Sequence, residues 1–350
     1  MKVLYAIQGT GNGHIARAGE IVPALRNRVQ TDVLLSGMHT ELELDFEVKY
    51  KCKGLGFKFG KKGGIDYLNT WRGSDVSAFL REIKAIDLSG YDLVISDFEP
   101  VSAWAAKKQH IPCVGLSNQC TLLDGSISNG KGKKSRLARS LLRNYAPTDV
   151  NYGFHFTATG AFIHTPVIRR KIREVNVADH GHIAVYLPFY NDKKILKALS
   201  FFREKKWIVF SKHSKSPYRH RNVFVYPIDS KRFMEEMATA SGVLCGAGFS
   251  TTTEAIFLGK KLLVIPMKNQ FEQNFNAKAL EKLGVPSISG LKKKHRDDIK
   301  NWLDTERALH ISYPDKTQAI VDQILNDFVN QWMFYRDEFS DIENIYRTIS

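Results

Sequence analysis

Short, unbroken apolar runs alternate with helical periodicity along the first 165 residues, and the alternation restarts after about residue 182. In the first series VLYAIQ (3–8), TDVLLS (31–36), YDLVISD (91–97) and IPCVGLS (111–117) read as strands. Helical spacing marks 15–27, 76–86 and 101–109 between them. In the second, HIAVYLPF (182–189), KWIVFS (206–211), NVFVYPI (222–228), GVLCGAG (242–248) and KLLVIP (261–266) are strands. Their helices are expected at 191–202, 230–240, 251–258 and 271–283. A strand with no polar face must be covered on both sides, which calls for parallel sheets sandwiched between helices. The expected fold class is therefore α/β, with two Rossmann-like doubly wound domains facing across a cleft. The expected bounds are 1–165 and 183–327, joined by a linker at 166–182. A C-terminal helix at 328–350, carrying WMFYRDEFSDIENIYRTI (332–349), has no sheet of its own and is expected to pack back on the body.

At 350 residues the chain suits two cores rather than one. Cys52, Cys113, Cys120 and Cys245 form no C-x-x-C pair and read as reduced thiols, which points to a cytoplasmic protein. MKVLYAIQG lacks the features of a signal peptide, and no apolar run approaches the roughly 18 residues of a membrane span. The net charge of +15 is spread over both halves. That excess fits an anionic substrate or an anionic membrane surface. No zinc-finger spacing or RNP-type motif accompanies it, so no nucleic-acid partner is expected. Residues 124–147 set Lys131, Lys133, Lys134, Arg136, Arg139 and Arg143 against the single acid Asp124. A mobile Gly/Ser loop and a basic amphipathic helix are expected there, either a plain solvated face or a patch for a lipid head group or phosphate at the inner face of the plasma membrane.

After the first strand stands GTGNGHIARA (9–18). Gly9, Gly11 and Gly13 alternate, but His14 occupies the place of the third glycine in a dinucleotide fingerprint, and no acid ends the second strand. No Gly-Lys-Ser/Thr follows, so the phosphate loop of nucleotide triphosphatases is excluded as well. What remains is a strand–turn–helix whose backbone approaches a ligand, with His14 at the helix start as either a polar cap or a base. Asp97 ends a later strand, and ligands of doubly wound sheets bind at such carboxyl ends. Either it joins His14, fixing the imidazole tautomer, or it caps the helix beginning near Pro100.

Residues 245–277, CGAGFSTTTEAIFLGKKLLVIPMKNQFEQNFNA, carry a denser signal. A Gly-rich turn into three threonines makes a helix start suited to an anion. Glu254 one turn in suits a ribose diol, and Glu272 with Gln273 suits sugar hydroxyls. The bland alternative is a helix cap followed by core packing.

This stretch resembles the donor-binding segment of GT-B glycosyltransferases, in particular the UDP-glycosyltransferases and the N-acetylglucosaminyltransferase of peptidoglycan synthesis. The match runs through Gly248, Ser250, Thr251, Glu254, Glu272-Gln273 and Asn276-Ala277. The resemblance implies backbone amides near Ser250 and Thr251 on a diphosphate, Glu254 on the ribose, and Glu272 and Gln273 on the sugar. It also implies the backbone at Ile228 on the base and His14 as general base paired with Asp97. Gly246 stands where many of these enzymes carry a histidine, and Leu187-Pro188-Phe189-Tyr190 replaces a Gly/Ser-rich turn, with Lys212 and His213 either substitutes for the lost donor contacts or plain surface polar residues at a strand end. No D-x-D occurs, so neither metal nor other cofactor is expected. The implied reaction is an inverting sugar transfer from a UDP-sugar to a hydroxyl acceptor, such as a lipid-linked or cell-envelope glycan precursor. Trp71 and Trp104 suit such an acceptor, or a small apolar aglycone. The competing readings are a UDP-sugar 2-epimerase of the same fold, a non-catalytic polyanion or membrane-binding protein, and a retaining enzyme.

Overall fold

The computed structural model describes residues 1–37, 44–55, 75–124, 127 and 133–330. Trp71, Lys131, part of the glycine-serine stretch before the basic helix, and the expected helix at 332–349 lie outside the described residues.

The first sheet holds β1 (Lys2–Gln8), β2 (Gln30–Ser36), β3 (Tyr50–Cys52), β4 (Leu93–Asp97), β5 (Cys113–Ser117), β6 (Val150–Phe154) and β7 (Ile163–His164). Their order is β3-β2-β1-β4-β5-β6-β7, every neighbouring pair parallel. The second sheet holds β8 (His182–Tyr186), β9 (Lys206–Ser211), β10 (Tyr218–His220), β11 (Val223–Pro227), β12 (Gly242–Cys245) and β13 (Lys261–Val264). Its order is β10-β11-β9-β8-β12-β13, parallel except for the edge pair β10–β11. The α/β class with two such sheets is as expected, and its cause is visible in burial. β4 and β5 are buried at every position, because helices cover both faces.

Boundaries differ in instructive ways. The strand expected over 182–189 stops at Tyr186, where Leu187 and Pro188 turn the chain and the proline has no N–H to donate. The first helix begins at Asn12 rather than Ile15, which puts His14 inside its first turn. A helix over 317–330 follows the second sheet and lies against the first domain. Asp322 takes a two-pronged bond from Arg28 at 2.8 Å and 2.8 Å, and Asp327 accepts from the Tyr152 hydroxyl at 2.5 Å. The chain therefore straps its own two halves together.

The glycines of the first loop correct an expectation. Gly9 donates its N–H to Ser36 O, and a Cβ there would sit 2.7 Å from that oxygen and 3.0 Å from Gly37 O. A Cβ on Gly13 would meet Ser250 Oγ at 2.7 Å. What comes close at these two positions is the protein itself: a neighbouring loop at Gly9, and the facing domain at Gly13. Backbone atoms cannot yield, so Gly9→Ala should lower the unfolding free energy by about 1–3 kcal/mol. Gly11→Ala, whose Cβ would have nothing nearer than 3.8 Å, should cost less; equal losses in urea titrations would contradict this reading.

Candidate active site

β1 and β4 are neighbours, with Ile7 paired to Asp97, so the helix leaving β1 starts beside the end of β4. His14 Nδ1 lies 2.7 Å from Asp97 Oδ1. The helix beginning at Pro100 is capped by Glu99, whose carboxylate accepts from Val101 and Ser102 N–H at 2.8 Å and 2.6 Å. Asp97 is thereby left free for the imidazole, and the capping alternative falls to its neighbour.

Asp97 is wholly buried, and burial alone would raise its pKa; the charge of Arg17, with the hydrogen bonds from His14 and Arg17, outweighs that and holds it below the usual carboxylate value. Arg17 Nε donates to Oδ2 at 3.0 Å and a second guanidinium N–H to Oδ1, while the Tyr5 hydroxyl donates to Oδ2 at 3.2 Å. An ionised carboxylate 2.7 Å from Nδ1 requires the proton on that nitrogen. Nε2 then presents its lone pair toward the cleft, where the Gln119 amide nitrogen stands 3.4 Å away. Such an imidazole can take a proton from a hydroxyl placed before it.

The cleft before His14 is a cavity of about 270 Å³ that also meets Gly11, Gly13, Gly248, Ser250, Thr251 and Glu272. The helix Phe249–Phe257 opens on it with Gly248 as its first flanking residue and no side-chain cap, so first-turn N–H groups face the cleft. Asn276 donates to Ala247 O at 3.0 Å and pins the glycine-rich turn in place. Thr252 and Thr253 bond back into their own helix, which leaves Ser250 and Thr251 at the cavity. A second cavity of about 80 Å³ continues from there and meets Ile228, Arg169 and Glu254. The residue set expected at 228–273 is thus gathered along one groove, with one exception.

The exception is Gln273. Its amide oxygen accepts from Met267 N–H at 2.9 Å, and it meets neither cavity. It fixes the turn that leads into the helix Phe271–Lys282 rather than reaching into the groove. Gly246 is explained by the same packing, since a Cβ there would lie 3.1 Å from the Phe189 ring and 3.2 Å from Gln273 Oε1. Lys212, His213 and Trp104 meet neither cavity.

Four contacts were not legible in the sequence. Glu272 accepts from Asn118 Nδ2 at 2.8 Å and from Gln119 Nε2 at 3.2 Å, across the cleft. Glu254 is gripped by Arg169, Nε to Oε1 at 2.6 Å and a terminal nitrogen to Oε2 at 2.8 Å. Arg17 completes the set. Its position one turn after His14 was the available signal, because residues three apart share a helix face.

The model of glycosyl transferase family 1 matches residues 1–305. The chain belongs to that family. It is accordingly a glycosyltransferase, an enzyme that moves a sugar from a nucleotide-sugar donor to an acceptor. Among solved structures, this glycosyltransferase is similar in fold to MurG of Acinetobacter baumannii. The two share 16% identity and a TM-score of 0.55, covering 93% of this chain and 99% of that one. The glycosyltransferase SnogD from Streptomyces nogalater gives 16% identity and a TM-score of 0.51 over 93% and 99%. A putative UDP-N-acetylglucosamine 2-epimerase from Listeria monocytogenes gives 11% and 0.57 over 95% and 96%. No curated protein sequence matches the chain. These likenesses carry the GT-B fold.

Proposed function

We propose that the donor is a UDP-sugar and that transfer is inverting and independent of metal, with His14 as general base. The observation that carries this is the placement of a tautomer-fixed imidazole across one cavity from an uncapped helix start, with a ribose-sized branch holding Glu254. The acceptor hydroxyl gives its proton to His14 Nε2 as its oxygen bonds the anomeric carbon. The bond from that carbon to the diphosphate breaks with its electron pair, and the helix start near Ser250 and Thr251 receives the growing charge. Glu254 holds the ribose diol, Glu272 the sugar, and the backbone at Ile228 the base.

For the acceptor, a lipid-linked or cell-envelope glycan precursor is supported by the helix Lys133–Tyr145. Leu142 of that helix meets the main cavity beside Phe98 and Phe271, while Leu137 is 63% exposed and Arg136 and Arg143 are exposed around it. One helix can thereby wall the acceptor side and rest on an anionic lipid surface, which supports a peripheral position at the inner face of the plasma membrane. No helix among the described residues is long and apolar enough to cross a membrane.

Thermal unfolding with UDP, GDP and TDP tests the donor. At a hundredfold excess over the dissociation constant, UDP should add about 2.7 kcal/mol of stability, while GDP and TDP add less. A larger effect of GDP or TDP would overturn the assignment of the base. An epimerase would convert UDP-sugar without acceptor, and chromatography of the sugar products separates the two reactions.

A further inference from the structure

A buried carboxylate beside an imidazole ordinarily stabilises the imidazolium, which is the wrong protonation state for a base at neutral pH. This site adds a cation to that pair. Arg17 is 5% exposed and Asp97 has no exposure. The guanidinium makes two bonds to the carboxylate, and its terminal nitrogen lies 3.2 Å from His14 Nδ1. Since Nδ1 carries its own proton toward Asp97, that last distance is a contact between two donors aimed at one oxygen. The guanidinium also lies over the Phe154 ring, 5.1 Å from its centre, which fixes its plane. We propose that Arg17 is a positioning residue for the base: it matches the charge of Asp97, so that His14 stays neutral and oriented with Nε2 bare toward the acceptor hydroxyl.

This rests on the reading of His14 as the base and goes beyond it, because a simple His–Asp pair has no such partner. The other groups facing the imidazole do not supply the charge. Tyr5 from β1 is buried, and burial, with the Asp97 charge, pushes its phenol well above its ordinary pKa, so it stays neutral. Cys120, from the helix Asn118–Leu123, is held neutral as well, its thiol pushed up by burial to about 11. Glu272 of the second domain reaches His14 only through the Gln119 amide. Arg17 itself stays charged: burial works against it, and the Asp97 carboxylate outweighs burial. With Arg17 and Asp97 summing to zero, an imidazolium would be a lone third charge in a buried site.

The test needs no substrate. In isotopically labelled full-length protein, the His Cε1–H resonances are followed against pH by NMR, with His14 identified by the signal lost in His14→Gln. Arg17→Gln should raise the His14 titration midpoint by about one unit, a tenfold gain in proton affinity. Nitrogen shifts in the wild type should report the Nδ1–H tautomer. An unchanged or lowered midpoint, or a wild-type Nε2–H tautomer, overturns the proposal. Should Arg17→Gln unfold, the equally uncharged Arg17→Met decides, since its side chain can still lie over Phe154. The midpoint must rise there too, and no rise overturns the proposal. Failure of the underlying reading looks different: His14→Gln would then turn over donor as fast as wild type, whatever the titration gives.

Discussion

His14→Ala should lower kcat by roughly two to four decades, the usual worth of a positioned general base, while the dissociation constant for UDP changes little. The reason for the split lies in the geometry. His14 touches Asp97 and faces Gln119, whereas the expected contacts of the nucleotide are with residues 228 and 248–254 of the other domain. Removing the imidazole therefore strips the group that takes the proton and leaves the nucleotide groove intact. His14→Gln is the better-behaved companion, because its amide can still reach Asp97 and keep Arg17 paired. Both should show the same loss of turnover with a UDP-sugar and the same UDP affinity by calorimetry. A matched fall in turnover and affinity would mean that the imidazole holds the cleft together and has no part in proton transfer.

What the chain disclosed of itself follows from sequence distance and from partner. Unbroken apolar runs such as LVI at 93–95 announced strands covered on both faces, since no polar side chain has to be hidden there. Asp97 and His14 were visible because Asp97 ends one strand and His14 opens the helix that leaves another, the side of a doubly wound sheet where ligand groups gather. Arg17 drew no notice, for only the fold brings it to a residue 80 positions away. Asn118 and Gln119 sit on a six-residue helix too short to leave a periodic trace, and their partner Glu272 is in the other domain. The alternating glycines signalled a close approach, but the expected partner was a ligand where the protein's own atoms stand at Gly9 and Gly13. Gly13 is small for Ser250, and Gly9 for Ser36. Gln273 failed for a related reason, because pairing in sequence with Glu272 does not mean pairing in direction. Successive residues of a helix point about 100° apart, and only Glu272 turns into the cavity.

Glu254→Ala should raise the dissociation constant of UDP by about 10- to 150-fold, the equivalent of roughly 1.5–3 kcal/mol for hydrogen bonds to a charged group. The structure makes this substitution harder to read than it first looks. Glu254 is already held by Arg169 in a two-pronged ion pair, with side-chain exposures of 6% and 19%. Removing the carboxylate strands a half-hidden guanidinium at the mouth of the groove, and breaking a buried pair from one side destabilises by itself. Loss of affinity could then come from a distorted groove rather than from a missing ribose contact. Two measurements part these causes. Arg169→Ala together with Glu254→Ala removes the stranded charge, and the double variant should regain stability but not UDP affinity. The wild type should also prefer UDP over 2′-deoxy-UDP, and that preference should vanish in Glu254→Ala, since the hydroxyl no longer has a carboxylate to meet. A preference that survives the substitution would remove Glu254 from the ribose, and the polar contact would then have to be sought elsewhere along the same groove, at Asp229 or Ser230 beside Ile228.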